Sequence, residues 1–338
     1  MDSKSSIWNT SAPAFPVPET KKEWLQKREQ VRKQLIELSG FSLPAPDKTQ
    51  AMTVSTVERD GCLVEKVFID SGWGPAIPSW LLSPLKASAP SPAVLYLHQH
   101  GGKYSVGKDQ IFEEWSYGIA HGLELVKQGF VVLAPDAPGF GERQGQGPGG
   151  PLETGSAEEH SLFKALLWMG HTLWGAMIHD DLIALNYLCS RVEVDEKRIG
   201  VTGMSMGATR SWWLAALDER PACISAVACL TRYEELMGAG LLRAHGIYYF
   251  VPALLRHFDT EAVLSLIAPR PFRIQLGDRD DGSPVDGARK LIEITERFYQ
   301  LYDSCDMLKT DIYPDMGHEY TASMWQETVT WLEMHLKS

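Results

Sequence analysis

Gly203-Met204-Ser205-Met206-Gly207 stands between two stretches of opposite character. Arg198-Ile199-Gly200-Val201-Thr202 before it is an apolar, β-branched run, whereas Ala208 to Leu217 after it is rich in helix-forming alanine and leucine. The order is strand, sharp turn, helix, which is the setting in which a G-x-S-x-G string becomes a nucleophile elbow. Such a turn holds its serine in a strained backbone conformation and pushes the hydroxyl out above the sheet edge. Both glycines are required, because strand and helix pass so close that a Cβ at either flank would collide. In a chain with 29 glycines the string alone says little. Its setting carries the reading.

The same strand type recurs along the chain. Ala93–Leu97, Phe130–Ala134, Ile199–Thr202, Ile224–Cys229 and Phe272–Leu276 are continuous apolar runs separated by helix-length segments. Runs apolar throughout are buried on both faces, so the expected core is a mostly parallel, doubly wound α/β sheet with helices on either side. Residues 53–58, 63–70 and 76–82 alternate apolar with polar or end in Gly and Pro, which predicts an antiparallel start to that sheet. Before them, Glu23–Leu38 carries Trp24, Leu25, Val31, Leu35 and Leu38 at helical spacing and should pack one face on the body. Residues 1–20, rich in Ser, Pro and Ala, read as a flexible leader, and 21–338 as one domain. The apolar stretch Thr231–Asp259 is too long for a simple connection and is expected to form a small helical lid or a pocket wall. Gly139–Pro151 reads as a loop.

The 338 residues are 44% hydrophobic and 22% charged, enough to bury a large core. A net charge of -11 disfavours nucleic acid or an anionic membrane surface as partner. Met1–Thr10 lacks the apolar centre of a signal peptide and no later stretch is long enough to span a bilayer, so a cytoplasmic location is the expectation. The five cysteines (Cys62, Cys189, Cys223, Cys229 and Cys305) are scattered and odd in number, which predicts buried free thiols rather than disulfides or a zinc knuckle.

In a doubly wound sheet, functional groups gather at the carboxyl ends of the strands. After Phe272–Leu276 comes the acidic turn Gly277-Asp278-Arg279-Asp280-Asp281-Gly282-Ser283-Pro284. After the next strand, Leu308–Tyr313, comes Pro314-Asp315-Met316-Gly317-His318. The chain order Ser, Asp, His matches that of the α/β-hydrolase arrangement. The chemistry requires these residue types: a serine hydroxyl is a poor nucleophile, so His318 must take its proton and return it to the leaving group. An aspartate behind the histidine fixes its tautomer and stabilises the imidazolium. Asp280 is the choice for that role, with Asp278 and Asp281 read as turn and capping residues.

A tetrahedral oxyanion needs amide donors, one from the residue after the nucleophile and one from the loop after an earlier strand. Met206 supplies the first. The second should come from Gln99 or His100, in Leu97-His98-Gln99-His100-Gly101-Gly102. A metal held by His98 and His100 is disfavoured, since alternate positions past a strand point opposite ways and no acid neighbours them in sequence. No cofactor or metal is expected. Asp136 and Arg143 are read as a pair bracing their loop, and Trp168, Trp174, Trp212 and Trp213 as core. His160, His171, His179, His245 and His257 receive no role.

These motifs together resemble the α/β-hydrolases of the dienelactone hydrolase and acetyl xylan esterase type. The resemblance runs from about residue 20 onward. It rests on Leu97-His98-Gln99 followed by Gly107-Lys108-Asp109, on Asp136-Ala137-Pro138-Gly139-Phe140-Gly141-Glu142-Arg143, on the elbow, and on Ile267-Ala268-Pro269-Arg270-Pro271 leading into Gly277-Asp278-Arg279-Asp280. The family's Gly-x-x-Asp pattern ahead of a proline matches Gly277, Asp280 and Pro284, which implies Asp280 as the acid. Ser205 stands where dienelactone hydrolases proper look to have cysteine. The resemblance implies an α/β-hydrolase fold and a serine carboxylesterase acting on a small-molecule ester, with an acetylated sugar as one candidate. A peptidase or thioesterase with the same triad, or a non-catalytic binding module, are the alternatives.

Overall fold

The apolar segments lie in the middle of a sheet in the computed structural model, which describes residues 11–42, 49–86 and 90–337. Among the described residues the strands are β1 (Ala51–Arg59), β2 (Cys62–Ile69), β3 (Ile77–Pro84), β4 (Ser91–Leu97), β5 (Val131–Pro135), β6 (Val194–Met204), β7 (Pro221–Val227), β8 (Phe272–Gly277) and β9 (Leu308–Tyr313). They form one sheet in the order β1-β2-β3-β5-β4-β6-β7-β8-β9. The first three strands are antiparallel to their neighbours, β3 pairing with β5, and every later pairing is parallel. The expected mostly parallel sheet with an antiparallel start is what forms.

Alternation explains why the central strands are apolar throughout. In β4, Ala93, Leu95 and Leu97 enter one core together with Trp174, Leu182, Ala208 and Trp212. Val94 and Tyr96 enter the other, with Leu125, Trp325 and Leu332. Burying one Val or Leu side chain is worth roughly 1.5–3 kcal/mol, and a one-residue slip would exchange the two sets, so the register is well defined. The helices are α1 (Lys21–Ser39), α2 (His121–Lys127), α3 (Ser156–Trp168), α4 (Leu173–Ser190), α5 (Met206–Leu217), α6 (Tyr233–Gly238), α7 (Glu261–Ser265), α8 (Val285–Gln300) and α9 (Ala322–Leu336). The α4 and α5 side chains cover one face of the sheet and those of α2 and α9 the other. β4 has β5 on one side and β6 on the other, so the chain order reverses there and opens a crevice at the strand ends.

Helix α1 starts where Thr20 caps the Glu23 amide and stops at Gly40, whose φ of +76° is a left-handed cap. Trp24, Val31 and Leu35 are buried, while Leu25 turns out to solvent. Of the expected leader, residues 1–10 lie outside the described residues. Residues 11–18 have no regular structure, yet they are tied down: the Ala12 amide donates to Glu234 Oε1 (2.7 Å) and Phe15 packs among Trp24, Phe258 and Phe298.

β1, an edge strand, is exposed along its whole length, with no layer packed over it among the described residues. Three expectations need amendment. Trp168 is 92% exposed at the end of α3, unlike buried Trp174, Trp212 and Trp213. Cys62, Cys223 and Cys229 are buried free thiols, but Cys189 is only partly covered and Cys305 is exposed. Finally, the carboxylate of Asp136 pairs with Lys108 Nζ (3.1 Å) and the Lys108 amide (2.7 Å), while Arg143 turns to Asp180 and touches only the Asp136 carbonyl. Residues 28 positions apart meet because β4 and β5 are neighbours, which local sequence does not reveal.

Candidate active site

Ser205 lies between β6 and α5 with φ +58° and ψ -119°, a conformation a non-glycine residue adopts at a cost of about 1–3 kcal/mol. Its amide donates to the Val227 carbonyl of β7 (2.8 Å), which anchors the turn to the neighbouring strand. The register that sets Leu97 against Gly203 brings the Leu97 carbonyl into the bend. A Cβ on Gly203 would lie 2.4 Å from that oxygen, and one on Gly207 only 1.9 Å. Both contacts are with backbone, which cannot rotate away. Gly207→Ala is therefore expected to cost on the order of 3 kcal/mol or more. A melting temperature within a degree or two of the parent's would contradict the close approach.

The Met206 amide opens α5, where the first helical N–H groups have no partner within the helix.

His318 and Asp280 come together across the ends of β8 and β9. Gly277 permits this, since a Cβ there would lie 2.1 Å from the Met316 carbonyl. His318 Nδ1 donates to Asp280 Oδ2 (2.8 Å), and Asp280 Oδ1 accepts the Gly282 amide (2.8 Å). The Asp280 side chain is fully buried and that of His318 is 42% exposed, so the acid is fixed while the imidazole faces the cavity. Asp278 is half-buried with Oδ1 unpartnered, and Asp281 is exposed. Neither bonds to His318. Ser205, His318 and Asp280 line one cavity of about 570 Å³, with His100, His245 and Tyr248 on its walls. No hydrogen bond joins Ser205 Oγ to His318 among the described residues. In sites of this kind that bond often tightens only when substrate is bound.

The two candidates for the second oxyanion donor sit differently in the loop after β4. The Gln99 amide already donates to the Gln110 side-chain oxygen (3.0 Å), whereas His100 lines the cavity. His98 is buried and neutral, its pKa held well below the usual value chiefly by burial and then by the Arg210 charge. Its Nε2 accepts the Ala137 amide (3.1 Å), so Nδ1 carries the proton and donates to the Gln99 carbonyl (2.9 Å). His100 Nδ1 accepts the Gly102 amide (3.1 Å), and its Nε2–H donates to Glu159 (3.0 Å). An acid does stand beside His100, but it comes from α3. Glu159 also accepts the Tyr104 hydroxyl (3.0 Å), and Tyr248 stacks on the His100 ring at 5.3 Å, so the loop is held from three sides.

His245 has a place that sequence reading did not give it. Arg243, Ala244, His245, Gly246 and Tyr248, within the apolar stretch 231–259, form a wall of the cavity. His245 Nε2 donates to the Gly282 carbonyl (2.7 Å), bracing the same residue whose amide holds Asp280, and its ring stacks on Tyr249 at 3.9 Å. No local pattern marks this histidine; only the folded chain brings it beside Gly282. Burial pushes its pKa down to about 4. In the unfolded chain a histidine titrates near 6.5, so the unfolded state takes up the proton first. This contribution to stability is full above about pH 6.5 and is lost progressively as pH falls toward about 4. Buried His98 and His121, whose pKa values are also lowered, act in the same direction. The melting temperature should be lower at about pH 5 than at about pH 7, and His245→Gln should narrow that gap. An unchanged gap in the variant would remove His245 from the balance.

The sequence pattern of the Abhydrolase family matches residues 9–320. YtaP of Bacillus subtilis (strain 168), which carries the name of a candidate hydrolase and no stated substrate, is 35% identical over 311 residues, covering 91% of this chain and all of YtaP. Among solved structures, the chain is similar to a glucuronoyl esterase from Solibacter usitatus, with a TM-score of 0.69 at 17% identity, covering 96% of this chain and 99% of that one. It is also similar to acetyl xylan esterase 1 from Thermoanaerobacterium sp. JW/SL YS485, with a TM-score of 0.61 at 19% identity and 97% of each chain covered. At such identities the likeness is one of fold.

Proposed function

We propose that this chain, which belongs to the Abhydrolase family, is a serine carboxylesterase that hydrolyses a small ester through an acyl-enzyme on Ser205. The observation that carries the reading is the His318–Asp280 hydrogen bond on the wall of the cavity that Ser205 also lines. With Nδ1–H engaged by Asp280, the His318 tautomer leaves Nε2 free to accept a proton. In the first half of the reaction His318 takes the Ser205 proton, the Ser205 oxygen attacks the acyl carbon, and the amides of Met206 and His100 receive the oxyanion. The imidazolium then gives that proton to the departing alcohol. Water repeats the sequence on the acyl-enzyme and returns the serine. Asp280 holds the ring throughout and stabilises its charged form.

A short acyl group on a sugar alcohol is the substrate the site favours. Arg243, Arg279 and Asp281 line the cavity with charge, and a long apolar chain there would strip their water without replacing it. The fold neighbours named as acetyl xylan esterase and glucuronoyl esterase support the sugar ester as the class. Five unpaired cysteines favour a reducing compartment, and no helix among the described residues is long and apolar enough to cross a membrane. A series of p-nitrophenyl esters of increasing acyl length tests the reading. kcat/KM should be highest for acetate or propionate and fall with length; a rise toward long acyl chains, or no turnover of any member, would contradict it.

A further inference from the structure

His318 is the wall between two cavities. On one side lies the space that Ser205 and His100 line. On the other is a second cavity of about 510 Å³, which His318 also lines but Ser205 does not. We infer that this second cavity is the subsite for the alcohol part of the ester and that it takes a polyhydroxylated six-membered ring, a pyranose. The inference rests on the esterase reading above and adds to it where the leaving group sits.

The assignment of sides follows from the chemistry. The acyl carbon must be bonded to Ser205 Oγ and its oxyanion must face the amides of Met206 and His100, which ties the acyl part to the first cavity. The leaving oxygen must face the histidine that protonates it, so the alcohol extends past His318. The second cavity is the space on that side.

Its walls specify the kind of alcohol. Trp115, Tyr117 and Tyr320 line it. Trp115 and Tyr117 are each half-buried, with their rings 17° from parallel, and Tyr320 meets the indole edge-on at 5.4 Å. The Trp115 ring is fixed in turn by stacking on His121 at 4.8 Å, and His121 stacks on Trp325 at 3.7 Å. Rigid aromatic surface of this kind suits the C–H face of a ring. Gln99, Ser116 and Glu319 line the same cavity, and their side-chain polar atoms have no protein partner among the described residues. These groups are open to solvent, so an aromatic wall with a hydrated polar rim fits a ring that has an apolar face and hydroxyls around its edge to replace that water. A purely aryl alcohol would displace the water without replacing its hydrogen bonds.

The test uses three acetates that share one acyl group: ethyl acetate, cyclohexyl acetate and methyl 2-O-acetyl-β-xylopyranoside. In Trp115→Leu the ratio of kcat/KM for the xyloside to that for ethyl acetate should fall about ten-fold or more, mainly through KM. In Glu319→Gln the xyloside should fall relative to cyclohexyl acetate, because only the sugar hydroxyls can use the carboxylate. A binding measurement separates this inference from the esterase reading: methyl β-xylopyranoside should give saturation-transfer NMR signals with Ser205→Ala and lose them in Ser205→Ala combined with Trp115→Leu. Equal loss across the three acetates, or xyloside binding unaffected by Trp115→Leu, would overturn the subsite. Failure to cleave any ester, with xyloside binding still dependent on Trp115, would overturn the reaction and leave the sugar site standing.

Discussion

Ser205→Ala and His318→Ala should each lower kcat by about 10⁴-fold or more, and the double variant should fall little further, because nucleophile and base act as one unit. Neither change should unfold the protein. Ser205 is partly exposed at a helix start, and His318 is bound through a single ring nitrogen to Asp280. Removing the serine side chain leaves its backbone bond to Val227 intact. Losses that add in the double variant would mean that the two residues work separately. Melting curves recorded beside the kinetics distinguish lost chemistry from lost fold.

Asp280→Asn is the second large effect, and its sign follows from the hydrogen bonds. The carboxylate accepts the Gly282 amide on Oδ1 and His318 Nδ1–H on Oδ2. In asparagine one of these positions becomes an NH₂ group. If the Gly282 bond is kept, the amide hydrogens face Nδ1, which favours the tautomer with its proton on Nε2 and removes the base. The loss in kcat can reach about 10⁴-fold. Asp278→Asn and Asp281→Asn should change turnover little, since neither side chain bonds to His318 and asparagine tolerates the same turn conformations. Measured under one buffer, an active Asp280→Asn beside an inactive Asp278→Asn or Asp281→Asn would redraw the acid.

Sequence carried the sheet well because its central strands are apolar on both faces. The runs around Leu95, Leu133 and Ile274 fall on β4, β5 and β8, and the mixed stretch Leu308–Tyr313 falls on the edge strand β9. Ser205, Asp280 and His318 could be read for a related reason, since each follows a late parallel strand and the fold collects such loops at one edge. What could not be read depends on partners far apart in the chain. Gln99 and His100 look alike until Gln110 folds back to take the Gln99 amide. Glu159 reaches His100 from α3, and His245 reaches Gly282 from the cavity wall. Arg143 is the basic residue near Asp136 in sequence, but the folded chain gives Asp136 to Lys108 and Arg143 to Asp180. Trp115 and Tyr117 sit in a short irregular segment with no periodicity, so nothing local marks them as a wall beside the histidine.

In the proposed reaction Ser205 Oγ is the atom that carries the acyl group. An organophosphonate ester mimics the tetrahedral intermediate and forms a stable bond only with a serine that is activated and flanked by oxyanion donors. Intact-mass and peptide measurements after treatment should find a single phosphonyl group per chain, on the peptide containing Ser205, with loss of esterase activity in step with labelling. The adduct should be absent from Ser205→Ala and greatly slowed in His318→Ala. A label on another residue, with Ser205→Ala still turning over substrate, would contradict the account.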